Sequence, residues 1–500
     1  MSALSKIQLF LSDIEKSHAE MAASTAMACL SPGCQLKRII PGFIFVLPLL
    51  LQSFLMHPCY ENSKSAKFLR LALMPITIYL CFSRSRQRLI YPVDELFHIN
   101  FSSISFSTFH SVCLAIEFGL HDGPIFPPPG TSPRKPLEQA EIKKKTIVVT
   151  KDEVIQQERK ITPTKKIWPS LSERIKFTIW LLFSPRGLET SWAPPLSVVG
   201  EGPKLGAWQF FFWTLFKMIV CHIVVVASWA LAVSFTQNPK GAVGVLSQYY
   251  PQLQRFEAYS DYMTPGPFGI AAWFALEELG CFMNVLEVLV YLIGPYVLPK
   301  SLAPGKFDST LYPPLFNKLW EKDSLINFWS SGWHAIFRRH IIFCGWKPVE
   351  YIFSPFGREV SRAAGMVGAM FFSGIFHEYV VVASSRLDPK FSTIRVFTFF
   401  GLAMVLETYY KRITGKYVKG LGGHIWKFSV ITLVGYPAAL SWIERGLAQK
   451  GIPLPELWTW HRYLIPVGVL APERWLRYIT IPFFESSKLP SELIKEFIRQ

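Results

Sequence analysis

Long apolar runs separated by polar connections recur along this chain of 500 residues. The runs over 39–56, 68–82, 208–235, 268–297, 363–385, 391–410 and 425–443 approach or exceed the length of a membrane-crossing helix, about 20 predominantly apolar residues. A weaker run covers 460–482, and weaker ones lie near 100–120 and 175–185. The pattern predicts an all-α polytopic membrane protein with about eight transmembrane helices plus interfacial or re-entrant helices. Two runs carry reservations of chemistry. The run over 68–82 is short and contains Pro75, and the run near 100–120 is rich in serine, which suits the interface or the inside of a bundle.

The polar stretches divide the rest. Residues 1–38 form an N-terminal segment without the apolar core and cleavage site of a secretory signal, and 39–120 hold the first spans. Residues 121–174 carry Pro127-Pro128-Pro129-Gly130, Lys143-Lys144-Lys145 and Lys165-Lys166, and read as a flexible basic loop on the cytosolic side. A membrane core follows over 175–485, then a tail over 486–500. Within the core, 312–357 is too polar to span but dense in tryptophan and phenylalanine. Drawn as a helix, it aligns Ile326, Trp329, Trp333, Phe337 and Ile341 on one stripe, as an interfacial or re-entrant helix would.

Composition agrees with a bilayer setting. Half the residues are hydrophobic and 17% are charged, against roughly 25% in soluble domains. The formal charge of +17 concentrates in loops beside apolar runs, as in membrane proteins, and forms no aromatic-interleaved basic patch for nucleic acid. The eight cysteines are scattered through apolar stretches without metal-ligand spacing, so they read as packing residues and no metal is expected. With no other address legible, the endoplasmic reticulum membrane is the expected location.

The chemistry then narrows to histidines. His377 sits inside the run over 363–385, where an ionisable group must be paired, face a cavity or serve a function. It is either tied to a neighbouring helix or a general base, since a neutral imidazole titrates near operating pH. Glu378 follows it but points off its face, towards another helix. Ser373, Gly374, Gly365, Gly368 and Ala369 let helices approach closely or leave room for a substrate tunnel. Upstream, His334 follows Trp333 at the edge of the aromatic stripe. Glu277 and Glu278 are secondary candidates, equally suited to helix–helix contacts, and His424 reads as a loop histidine before a helix. Serine-hydrolase, P-loop and metalloprotease motifs are missing.

The elements Phe328-Trp329…Trp333-His334…Phe337-Arg338 and Phe376-His377-Glu378 resemble those of the membrane-bound O-acyltransferase superfamily, in its wax synthase-like branch. Ser184-Pro185-Arg186-Gly187-Leu188…Trp192 is a shorter echo of the same family. The resemblance covers roughly 180–480 and suits fungal members that acetylate terpenoids and other secondary metabolites. It implies an acyl-CoA-dependent O-acyltransferase with no bound cofactor, taking acetyl-CoA or another acyl-CoA and a lipophilic alcohol as co-substrates. His377 would be the base and His334 would position the donor or polarise its carbonyl. Trp329, Trp333 and Ser373 would line the substrate path. Where relatives often carry Gly-Arg-Arg, this chain has Ser330-Ser331-Gly332, so either Arg338 and Arg339 would supply the contacts to CoA phosphate or other loops would hold the donor. A long-chain ester synthase is the sibling reading. A proton-coupled transporter using His377, Glu378, Glu277 and Glu278, and a non-catalytic scaffold, are the readings from other classes.

Overall fold

The computed structural model describes residues 40–84, 105–126, 169–184, 186–188, 190–300, 303–333, 335–384 and 388–445. The run over 460–482, the segments 1–38 and 486–500, most of the basic loop and His334 lie outside the described residues. Every regular element among the described residues is helical. Nine α-helices of nine residues or more are described: α1 Val46–Phe54, α2 Lys64–Arg84, α3 Ser107–Leu120, α4 Leu171–Leu182, α5 Ala207–Gln237, α6 Pro265–Val297, α7 Arg358–Ser384, α8 Ser392–Thr414 and α9 Gly420–Glu444.

Four of them, over 64–83, 207–237, 265–297 and 358–382, are long and apolar enough to cross a membrane. The chain is an integral membrane protein. The expected span over 39–56 is shorter than its hydropathy implies, because α1 is nine residues, preceded by a turn and followed by the Pro58 helical turn. At about 1.5 Å per residue it falls far short of the roughly 30 Å hydrocarbon core. The run over 68–82 does form a helix, α2, with Pro75 inside it. The serine-rich run near 100–120 forms α3, most of whose residues are buried, so it packs inside the bundle. Helix α4 opens within the stretch assigned to the loop. The Ser170 hydroxyl accepts from the Glu173 amide and the Glu173 carboxylate accepts from the Ser170 amide, a reciprocal cap.

Six apolar cores hold the described helices together, and four of them set the arrangement around the site. Leu49, Leu114, Phe118 and Leu181 join α1, α3 and α4. Val225, Trp229, Ala271 and Ile443 join α5, α6 and α9. Met370, Val396, Phe400 and Val430 join α7, α8 and α9 around Leu325. Phe109, Phe337, Phe376 and Val380 join α3 and α7 to the irregular 325–352 segment. Gly374 lets α7 and α8 touch, since a Cβ there would lie 2.9 Å from the Ile394 Cα. Gly368 does the same towards Gly345, whose carbonyl oxygen would lie 2.9 Å from such a Cβ. These small residues serve close helix approach.

The aromatic segment is not the continuous helix the stripe suggested. A short helix over Leu325–Asn327 widens into a π-helical turn at Phe328–Gly332 and breaks at Trp333, whose ψ of 156° is extended. Helical structure resumes at Arg338–His340 and widens again over Ile341–Trp346. Packing overrides periodicity here. Leu325, Phe328 and Phe337 are each buried in a different core, which one straight helix cannot arrange.

Candidate active site

The site is assembled around α7. His377 is partly buried on this helix, one turn after Ser373, and its Nδ1 lies 2.7 Å from the Ser373 carbonyl oxygen. A carbonyl can only accept, so Nδ1 carries the proton and Nε2 keeps its lone pair. Two rings stack on the imidazole. Phe397 of α8 stacks on it at 4.5 Å with a 21° interplanar angle, and Trp442 of α9 at 5.7 Å with 27°. The arrangement therefore presents one basic nitrogen from a fixed ring in an apolar surround, which is what general-base chemistry needs.

The upstream aromatic element reaches the same place. Trp329 packs 5.5 Å from Trp333, 5.9 Å from Phe397 and 5.4 Å from Phe400, so Phe397 bridges the tryptophans to His377. Its indole N–H is buried without a hydrogen-bond partner among the described residues. The element is anchored from below. Ser324 caps its first turn, and the buried Glu407 carboxylate of α8 accepts from the Leu325 and Ile326 amides at 2.7 and 3.0 Å and from the Trp426 indole at 2.8 Å. A negative group there also complements the helix dipole. The π-helical turn, an uncommon form often found at functional sites, then delivers the chain to the break before position 334.

The two arginines differ. Arg339 is turned inward: its Nε lies 2.9 Å from Glu117 Oε2 and its guanidinium sits 3.7 Å over the Trp192 ring. Burial pulls the Arg339 pKa down and the Glu117 charge offsets part of that. The same carboxylate lies 3.5 Å from His340, which pairs with His110 at 2.8 Å. Arg338 is half-buried and makes no ion pair among the described residues; burial lowers its pKa. The shorter motif finds its purpose in this region. Arg186 donates to the Pro313 and Pro314 carbonyls at 3.0 and 3.2 Å, Gly187 turns the chain with φ +54°, and Trp192 is thereby set against Arg339.

Glu378 points away from the imidazole, as its helical position requires. Its two oxygens accept from Arg445 Nη1 and Nη2 at 2.8 and 3.1 Å, a buried bidentate pair between α7 and the end of α9. Lys217 pairs with Glu277 at 2.7 Å and His222 with Glu278 at 3.0 Å, so those carboxylates are contacts between α5 and α6. His424 lies inside α9, not in a loop ahead of it: the glycine run opens the helix, with the Gly420 amide donating to Asp323 at 2.9 Å.

Asp388, in the α7–α8 connection, was not legible as a site residue. It accepts from the Lys390 and Ser392 amides at 2.9 Å each and from the Ser441 hydroxyl at 2.8 Å, capping α8 where Phe391 adopts a left-handed φ of 49°. Burial pushes its carboxyl up, but the bonds from Ser392, Lys390 and Ser441 outweigh that and hold the pKa below the usual value. A depressed folded pKa means the contribution is full above the unfolded value, ~3.9, and is lost as pH falls through the folded one. Asp388→Asn is expected to cost about 1–3 kcal/mol near neutrality. Thermal melts of wild type and variant should differ at pH 6 and converge towards acid pH; a gap that stays constant would refute this.

Residues 312–402, which hold the tryptophan element, α7 and Phe397, match the model of the Membrane bound O-acyl transferase family. Over 219 residues the chain is 23% identical to acetyltransferase ple2 of Rhodocybe pseudopiperita, covering 42% of this chain and 49% of that protein. The chain thus spans about half the length of that relative. With the His377 imidazole, Trp329 and Phe397 lying inside the matched segment, this chain resembles the membrane-bound O-acyltransferases, and among them the fungal acetyltransferases.

Proposed function

We propose that this protein is an acyl-CoA-dependent O-acyltransferase that acetylates a hydroxyl of a lipophilic acceptor, such as a terpenoid or other secondary metabolite, in the endoplasmic reticulum membrane. The observation that carries the reading is His377, held by the Ser373 carbonyl so that Nε2 is the basic nitrogen, on a membrane-crossing helix inside the family-matched segment. Nε2 takes the proton of the acceptor hydroxyl as its oxygen attacks the thioester carbonyl. The tetrahedral intermediate collapses with C–S cleavage, and the thiolate takes that proton back from the imidazolium. Ester and CoA thiol leave, with no covalent enzyme intermediate.

His334, Trp333 and Trp329 would place the thioester, the buried Trp329 N–H being a donor that awaits an acceptor. Arg338 is the better placed of the two arginines for a CoA phosphate, since Arg339 is committed to Glu117. A longer acyl chain remains the sibling reading. A proton-relay transporter is disfavoured because Glu378, Glu277 and Glu278 each pair with a different cationic or histidine partner, so they form no chain with His377.

The test is ester formation. Membranes containing the full chain are incubated with labelled acetyl-CoA and a panel of hydroxylated terpenoids and fatty alcohols. Labelled ester that requires both protein and alcohol supports the reading. No ester with acetyl or long-chain donors, from protein shown to be folded, would sink it and send attention to vesicle flux.

A further inference from the structure

We infer that Phe397 and Trp442 are positioning residues for His377, and that Thr393 with the Arg445–Glu378 pair holds Trp442 in place for that role; this rests on the acyltransferase reading above. The two rings stack on the imidazole at 4.5 and 5.7 Å with near-parallel planes. With Nδ1 held by the Ser373 carbonyl, the ring plane is set from three directions and Nε2 has one way to point. When Nε2 takes the acceptor proton, the new imidazolium lies against two π faces in a water-poor setting, where cation–π attraction is at its strongest. That attraction exists only while the proton is on the ring, so it lowers the barrier rather than tightening substrate binding.

Trp442 has a mount of its own. Its indole N–H donates to Thr393 Oγ1 at 2.8 Å, and Arg445 Nη2 reaches the same oxygen at 3.4 Å while bound to Glu378. Glu378 is the residue after His377, so one clamp registers α7, α8 and α9 around the base. Trp442 and Arg445 lie beyond the family-matched segment, which ends at residue 402.

The experiment compares steady-state kinetics of the full chain in membranes, using labelled acetyl-CoA and the best alcohol of the panel above. Trp442→Leu and Phe397→Leu should each lower kcat by about 10- to 30-fold with KM for donor and alcohol within about twofold. Trp442→Phe, which keeps a π face, should restore kcat to within about threefold of wild type. Thr393→Val, near-isosteric, should lower kcat by about threefold to tenfold through loss of the Trp442 mount. Leucine variants that fold and turn over normally, or a loss carried in KM, overturn the inference. Should the leucine variants fail to fold, an unchanged kcat in Thr393→Val overturns it equally. His377→Ala separates the two layers. If that variant is inactive while the aromatic variants are normal, the positioning role alone falls. If it retains wild-type turnover, His377 is not the base and this inference falls with that role; if wild type forms no ester, the acyltransferase reading falls and takes this inference with it.

Discussion

His377→Ala is expected to lower kcat by about 10²- to 10⁴-fold, the usual contribution of a positioned general base. KM for the acyl donor should change little, because the imidazole acts on the acceptor's proton and not on the bound thioester. Alanine keeps α7 helical and removes only the ring that stacks with Phe397 and Trp442. The protein should therefore still insert and melt cooperatively, at a somewhat lower temperature from the cavity left behind. The measurement is ester formed per unit of folded protein, read with a fluorescence-detected gel-filtration profile as the folding control. Turnover within a few-fold of wild type would exclude His377 as the base.

Arg445→Met is the second large effect, and it falls on stability. Arg445 and Glu378 are both nearly solvent-free, with side chains 3% and 5% exposed. Removing the guanidinium leaves a buried carboxylate whose other hydrogen bond among the described residues is from the Asp388 amide at 3.4 Å. Breaking such a pair from one side costs about 3–5 kcal/mol, because the remaining charge has lost its partner without regaining water. Replacing both with apolar residues of similar volume is far milder. Arg445→Met should therefore lower the melting temperature of detergent-solubilised protein sharply, and adding Glu378→Met should recover much of the loss. A single variant as stable as wild type would show that the clamp does not hold α7 to α9.

Several features were legible early because their signals are local. An ionisable group within twenty apolar residues marked His377, and helical geometry alone turned Glu378 away from it. The same rule flagged Glu277 and Glu278, which proved to be contacts between α5 and α6. Applied as strictly to the run over 391–410, it would have marked Glu407, the anchor of the tryptophan element. Ser170 and Glu173 carry a readable capping pattern inside a stretch whose composition reads as loop. Hydropathy overstated the first span because it counts apolar residues and not turns; the run over 39–56 breaks into pieces around a nine-residue α1.

By itself the sequence determined that this is an α-helical membrane protein and singled out His377 as the candidate centre of its chemistry, since apolar run length and the cost of a buried charge are properties of contiguous residues. Tertiary structure alone decided what surrounds that histidine. Phe397, Trp442, Thr393 and Arg445 lie 16 to 68 residues away on other helices, and nothing in their local sequence separates them from ordinary packing residues. It also decided that the aromatic stripe would break at Trp333 and that Arg339 would turn inward to Glu117. Burying Leu325, Phe328 and Phe337 in three separate cores outweighs the preference for one continuous helix, and a guanidinium carried inside the fold must find its counter-charge there.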